Sequence, residues 1–332
     1  MPRWASWIFG RTERALAVAT LVTVIVLSLS SPYFLTIPNL VNLAEAYSVT
    51  AILAAGVLVV LVCGGIDISF TATAAAAQYF AATLATKHGM PLLPALVLSA
   101  CLGIGLGALN ALLIHYLRVG SIIVTIATSS IYYGLLIYLT DAHEIYNLPD
   151  WWAEPVVLFR TILPSGDVVK IGLPILVMCL VVLFTHMLLN HTRLGRQIHA
   201  FGGNPEAASR IGINIVGVQL FAYGYLGLLA AVGGFMQAYR VHQAVPTAMA
   251  GLELNVLAVA ILGGASLVGG IGTMGGVVLG LLFLAILQNG LNLLGVSSYF
   301  FGMVTGLAIL ASILMTGFAD KRARRPHMAR RD

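Results

Sequence analysis

R-L-G-R-Q-I-H-A-F-G-G-N-P-E-A-A-S-R-I-G-I-N (Arg193–Asn214) is the most polar internal stretch of a very apolar chain, and it lies between the apolar runs Ile171–Asn190 and Ile215–Tyr239. Each flanking run is long enough to cross a bilayer as a helix, so the polar island reads as a loop at a membrane face. Within it the residues specify a short helix. Asn204 is placed to accept a free backbone N–H of the first turn, and Pro205 suits the first helical position because it has no N–H to leave unpaired. Glu206 sits where the helix dipole favours negative charge, Arg210 follows four residues on, and Gly212 can supply a left-handed stop. Gly202 and Gly203 read as a flexible approach to the helix. Two turns of helix are too short to be stable alone. From the residues alone the segment is either an ordinary capped loop or a docking knob for another subunit.

Composition extends this reading to the whole chain. Of 332 residues, 59% are hydrophobic and only 9% charged, and mean hydropathy is +0.96. Soluble domains carry about 25% charged residues, so the expected class is an all-α polytopic membrane protein forming a single transmembrane domain over 1–332. The 35 glycines suit closely packed membrane helices. Cys63, Cys101 and Cys179 stand far apart in apolar runs and form no metal or redox motif. The net charge of +5 does not indicate nucleic acid, because the basic residues cluster at the chain ends and in loops.

Ten spans are expected: Ala15–Ser31, Tyr47–Cys63, Phe70–Thr86, Leu92–Tyr116, Ser121–Thr140, Ile171–Asn190, Ile215–Tyr239, Leu252–Leu267, Gly275–Leu294 and Tyr299–Phe318. Ser28–Ser30 would pass as a processing site, but a retained anchor is the simpler reading given so many later spans. With both termini cytoplasmic, thirteen of the seventeen Lys and Arg face the cytoplasm, including six in the basic tail 319–332. The positive-inside rule supports that orientation. It puts the 191–214 loop inside and the acidic 141–170 loop outside, with Trp151 and Trp152 as interfacial anchors. The second span runs into Gly64 and Gly65, which are expected to break the helix, with Asp67 and Ser69 to cap the next one. Gly103/Gly107 and Gly272/Gly276/Gly280 each repeat every four residues, a pattern that lets another helix approach closely.

Several chemistries are excluded. No G-x-x-x-x-G-K-[ST] surrounds Lys87, Lys170 or Lys321, and there is neither an H-E-x-x-H nor a G-x-S-x-G, so no ATPase, metal or nucleophile site is expected. Ionisable groups near the hydrocarbon are few, namely Glu45, Asp67 and Glu253, which weighs against an ion-coupled carrier. Neutral polar side chains within the spans are more numerous. Gln78, Asn110, Thr125, Asn255, Asn289 and Asn292 are the candidates for a path taken by a hydroxylated solute, or else they hydrogen-bond helices to one another.

G-G-N-P-E-A-A-x-x-x-G-I-N (Gly202–Asn214), G-G-I-D-I-S (Gly64–Ser69), G-x-x-N (Gly107–Asn110), L-G-G-A-S-L-V-G-G-I-G-T (Leu262–Thr273) and N-G-L-N-L-L-G-V-S-S-Y (Asn289–Tyr299) occur in one order along nearly the whole chain. Together they resemble the permease subunits of ribose/galactose/xylose-type ABC importers. The resemblance implies a type II ABC-importer-like fold in the bacterial inner membrane and no cofactor of its own, ATP being bound by a partner. The implied partners are ABC ATP-binding subunits, a periplasmic solute-binding protein, a second permease copy or paralogue, and membrane lipid. It also assigns coupling to the ATPase to Gly202, Gly203, Asn204, Pro205, Glu206, Ala207, Ala208, Arg210 and Gly212. The chain departs from the family pattern at Phe70–Thr73 and at Gly120-Ser121. Pentoses, hexoses, deoxy sugars, polyols and furanosyl solutes therefore all stay open. So do an amino-acid or nucleoside permease and a stand-alone secondary carrier.

Overall fold

A computed structural model of the chain describes residues 11–307 and 310, apart from 165 and 298. The basic tail, Arg3 and the end of the expected 299–318 span lie outside the described residues. The chain order is α1 (Arg11–Ser30), α2 (Ile37–Ala46), α3 (Ser48–Val62), α4 (Phe70–Lys87), α5 (Leu92–Leu117), α6 (Ser121–Thr140) and α7 (Asp150–Ala153). Then come β1 (Val157–Ile162), β2 (Val168–Gly172), α8 (Leu173–His191), α9 (Arg193–Gly203), α10 (Pro205–Arg210), α11 (Ile215–Val241), α12 (Leu252–Leu262) and α13 (Met274–Leu293). Residues 299–307 are again helical.

Helix α3 is the centre of the bundle. It is apolar all round, and every residue but Thr50 is buried. A helix with no polar stripe must be enclosed, and α3 packs against α8, α11, α12 and α13. Outside this core the pattern inverts: α5, α6 and α8 expose large apolar side chains such as Leu93, Ile123, Ile131 and Leu180, as lipid-facing helices do.

Six described helices are long and apolar enough to cross a membrane, and the α2–α3 pair, bent by 46°, makes a seventh. Two expected spans take another form. Helix α4 is rich in Ala and Thr rather than strongly apolar, and eleven of its eighteen residues are buried, so protein surrounds it instead of lipid. Helix α12 ends at Leu262, not Leu267. Its eleven residues cover about 16 Å, roughly half a hydrocarbon core.

The fold is mostly helical, not all-α. β1 and β2 form an antiparallel hairpin inside the acidic 141–170 loop. Val, Ile, Phe and Thr supply the strand-forming composition there. Trp152 does not anchor at a membrane interface either. Its indole is 1% exposed, stacks on Phe235 with centroids 4.1 Å apart and donates to the Phe235 carbonyl. The loop is thereby fastened to α11, and the Ile145–Ala244 bridge fastens it to the connector after α11.

Glycines set the closest helix approaches. A Cβ built on Gly103 would lie 2.3 Å from the Gly227 carbonyl oxygen, and one on Gly107 2.2 Å from that of Tyr223, so α5 and α11 touch backbone to backbone. On α13, a Cβ at Gly276 would lie 2.0 Å from the Gly263 oxygen and one at Gly280 2.2 Å from that of Val259. Gly272 precedes the helix and packs on the side chains of Leu58 and Val62. Gly276→Leu is therefore expected to force α12 and α13 apart, costing ~1–3 kcal/mol or more, and to lower the melting temperature in detergent. Gly275, which faces open space, should accept Ala with little change. Equal melting temperatures for Gly276→Leu and wild type would show that the contact is not a tight one.

Candidate functional site: a capped hairpin joined to a broken span

Thr192 opens α9, its Oγ1 accepting from the Gly195 amide at 3.0 Å. The helix buries Gly195, Ile198, Phe201 and Gly202, and Gly195 lets it lie against the last carbonyls of α8. Asn204 Oδ1 then accepts from the Ala207 amide at 3.0 Å, capping α10 with Pro205 in its first position. Ala208 points inward at 2% exposure, while Glu206 and Arg210 stand in solvent 3.9 Å apart. A pair so exposed adds little stability. Gly212 has φ +83°, the left-handed stop. The rim Gly203–Ala207 and Ser209–Gly212 is exposed, and Ile211 shows 75% of its surface.

Gly202 and Gly203 are not a loose approach. Both are helical, the last residues of α9. A Cβ on Gly202 would lie 1.9 Å from the Val62 oxygen and 2.7 Å from the Gly270 nitrogen, whereas one on Gly203 meets nothing. Gly202 is thus the point where the hairpin touches two other backbones. One is the end of α3, the other the glycine-rich turn 263–273. Gly270 N donates to Val62 O at 2.9 Å, and His199 Nδ1 lies 3.0 Å from Gly270 O. Gly64 (φ +86°) and Gly269 (φ +103°) complete the junction with conformations that disfavour side chains.

From this junction the chain runs into the break between α3 and α4. Asp67, 3% exposed, accepts on Oδ1 from the Ser69 amide and hydroxyl at 2.7 Å each, and on Oδ2 from Asn110 Nδ2 at 3.4 Å. Asn110 Nδ2 also reaches Ser69 Oγ at 2.6 Å, and the Tyr132 hydroxyl lies 3.3 Å from Asn110 Oδ1. From α6, Ser121 Oγ accepts from the Ile66 amide and Thr125 Oγ1 from that of Ile68. Non-helical backbone inside a membrane bundle needs such partners, since lipid offers none. Ser69 does not cap α4, because its hydroxyl is spent on Asp67 and Asn110.

A permease family described as "Branched-chain amino acid transport system / permease component" matches residues 39–313. The ribose import permease protein RbsC of Escherichia coli (strain K12) is 36% identical over 304 residues, covering 91% of this chain and 93% of that one. The chain belongs to the ABC-importer permeases, of the ribose/galactose/xylose type. The D-allose permease AlsC and the L-arabinose permease AraH, both of the same strain, are each 31% identical, covering 92% and 96% of this chain and 91% and 95% of theirs. No solved structure matches. The permease is accordingly a multi-pass protein of the inner membrane.

The permease's expected path residues fall into separate places. Asn110 and Thr125 join the Asp67 cluster. Gln78 is fully buried on α4, its Nε2 donating to Val245 O at 2.8 Å. Asn289 exchanges two 3.0 Å hydrogen bonds with Asn39, the role of a helix tie, and Asn292 is exposed. Asn255 is half-buried on α12. Sequence reasoning marked Ser121 only as a departure from the family pattern and overlooked Tyr132 and Tyr133, although hydroxyls in an apolar run are the signal that marks them. It also overlooked Glu13, whose carboxylate accepts from Thr273, the N-cap of α13. A carboxylate there is favoured by the helix dipole. A separate cavity of about 370 Å³, lined by residues such as Phe34, Leu43, Met178 and Leu281, offers a hydroxylated solute almost no partner.

Proposed function

We propose that this permease is the translocation subunit of an ATP-driven importer that carries a monosaccharide, or a related polyol or furanosyl solute, into the cytoplasm. Ten spans with both termini cytoplasmic, paired with a second copy or a paralogue, provide the pathway. The exposed rim of α10 receives the ATP-binding subunits, and the face carrying the β1–β2 hairpin receives the periplasmic solute-binding protein. The observation that carries this reading is the Gly202 junction: the capped α9–α10 hairpin lies in backbone contact with the break that holds the Asp67 cluster. A push on α10 therefore has no flexible side chain in which to dissipate before it reaches the broken span. The ribose, allose and arabinose permeases among the relatives support a sugar as cargo.

Uptake of labelled D-ribose, D-allose and L-arabinose, by cells carrying the permease with and without its ATP-binding subunit and binding protein, tests the proposal. At least one sugar should accumulate, only with all components present, and should continue to do so when ion gradients are collapsed but ATP is maintained. Accumulation by the permease alone, driven by an ion gradient, would establish a secondary carrier instead.

A further inference from the structure

Among the described residues, two enclosed side-chain polar atoms lack a hydrogen-bond partner of good geometry, Gln78 Oε1 and the Tyr133 hydroxyl. In water such atoms are solvated. In a membrane bundle each is a standing cost, and groups left so are expected where a ligand completes them. Both border the same structural irregularity. After α11 the chain returns to the bundle as non-helical backbone. Gln78 Nε2 holds its Val245 carbonyl, and eight residues later Glu253 Oε2 accepts from Thr71 Oγ1 at 3.3 Å. Thr71 and Gln78 are seven residues apart on α4, about 10 Å and nearly one face. The connector thus runs alongside α4 for two turns. Tyr133, on α6, faces Thr71 and the Glu253 carboxylate. Irregular backbone packed into a membrane bundle is tolerated where it lines a cavity or a solute route.

We infer that Thr71, Gln78, Tyr133 and Glu253, with the 245–253 connector beside them, form a binding cleft for a neutral polyhydroxylated solute on its way through the bundle. This rests on the sugar-importer reading and deepens it. The amide oxygen and the carboxylate are acceptors for solute hydroxyls, while the Tyr133 and Thr71 hydroxyls both donate and accept. An alcohol carries donor and acceptor on one atom and so serves all four. The set contains no cation, and Glu253 repels negative charge, so the carboxylate of an amino acid would find hydroxyl donors here but no cation to balance its charge. The cleft therefore favours sugars and polyols over zwitterions.

Tyr133→Phe tests the inference most directly, because it deletes that hydroxyl and leaves the ring in place. Gln78→Met tests the amide. Uptake of labelled D-ribose, D-allose and L-arabinose is measured in cells carrying the complete importer, normalised to permease in the membrane, alongside thermal unfolding of each purified variant. One lost hydrogen bond to the solute should slow uptake ~5–10-fold, with Tyr133→Phe as thermally stable as wild type or more so. Wild-type uptake rates in both variants would overturn the cleft, and so would uptake lost together with thermal stability in Tyr133→Phe. If the wild type imports none of the three sugars, the sugar reading falls and this inference with it. Uptake by the wild type with undiminished variants sinks the cleft alone.

Discussion

Ala208→Pro is expected to abolish uptake while leaving the amount of permease in the membrane near that of wild type. Ala208 is the fourth residue of α10, and its amide donates to the Asn204 carbonyl at 3.0 Å. Proline removes that donor, and its ring collides with the same carbonyl, a combined cost of roughly 3 kcal/mol. The site is 2% exposed, so the added ring atoms also crowd the inner face of the hairpin. A bundle of many packed spans absorbs such a loss. A two-turn helix, marginal to begin with, does not. The insertion machinery should therefore see a normal protein and the ATP-binding subunits a disordered contact. Uptake and ATP hydrolysis stimulated by the loaded binding protein should both disappear. Normal uptake at normal membrane level would reduce α10 to an ordinary loop.

Gly202→Ala should be nearly as damaging, and Gly203→Ala should be close to silent. The two glycines are adjacent, both helical and chemically identical, so helix propensity favours alanine equally at each. Only their neighbours differ. A methyl at 202 meets the Val62 carbonyl and the Gly270 amide, which are main-chain atoms that cannot swing aside, and it would separate the pair joined by the Gly270 N–Val62 O hydrogen bond. Overpacking of this kind typically costs ~1–3 kcal/mol, with the upper end expected where the obstacle is backbone. A bias of ~3 kcal/mol between transport conformations shifts a balanced equilibrium by roughly two orders of magnitude. The readouts are uptake per permease and the melting temperature of the purified protein. A Gly202→Ala variant indistinguishable from Gly203→Ala would show that the junction does not transmit force.

Much of this protein is legible along the chain, because local chemistry decides it. The cap on α10 needs only Asn204, Pro205 and the amide of Ala207, all within four residues, and the left-handed stop needs only Gly212. The spans follow from apolar runs long enough to replace water with lipid, and the Gly103/Gly107 and Gly276/Gly280 faces from four-residue periodicity. The hairpin strands Val157–Ile162 and Val168–Gly172 carried a β-branched signal that their polar setting obscured. What only the tertiary structure decided is which partner each side chain meets. Trp151 and Trp152 form an interfacial motif by sequence, yet Phe235, 83 residues away, offers Trp152 a stacking face and a carbonyl acceptor, and burial wins. Gly202 and Gly203 are equivalent in sequence; a methyl on one would meet two backbones and on the other nothing. Asp67, Asn110 and Thr125 are separated by 43 and 15 residues, and nothing local says that their polar atoms converge. They converge because α4, α5 and α6 enclose a break whose amides must find partners inside the bundle, where neither water nor lipid can supply them.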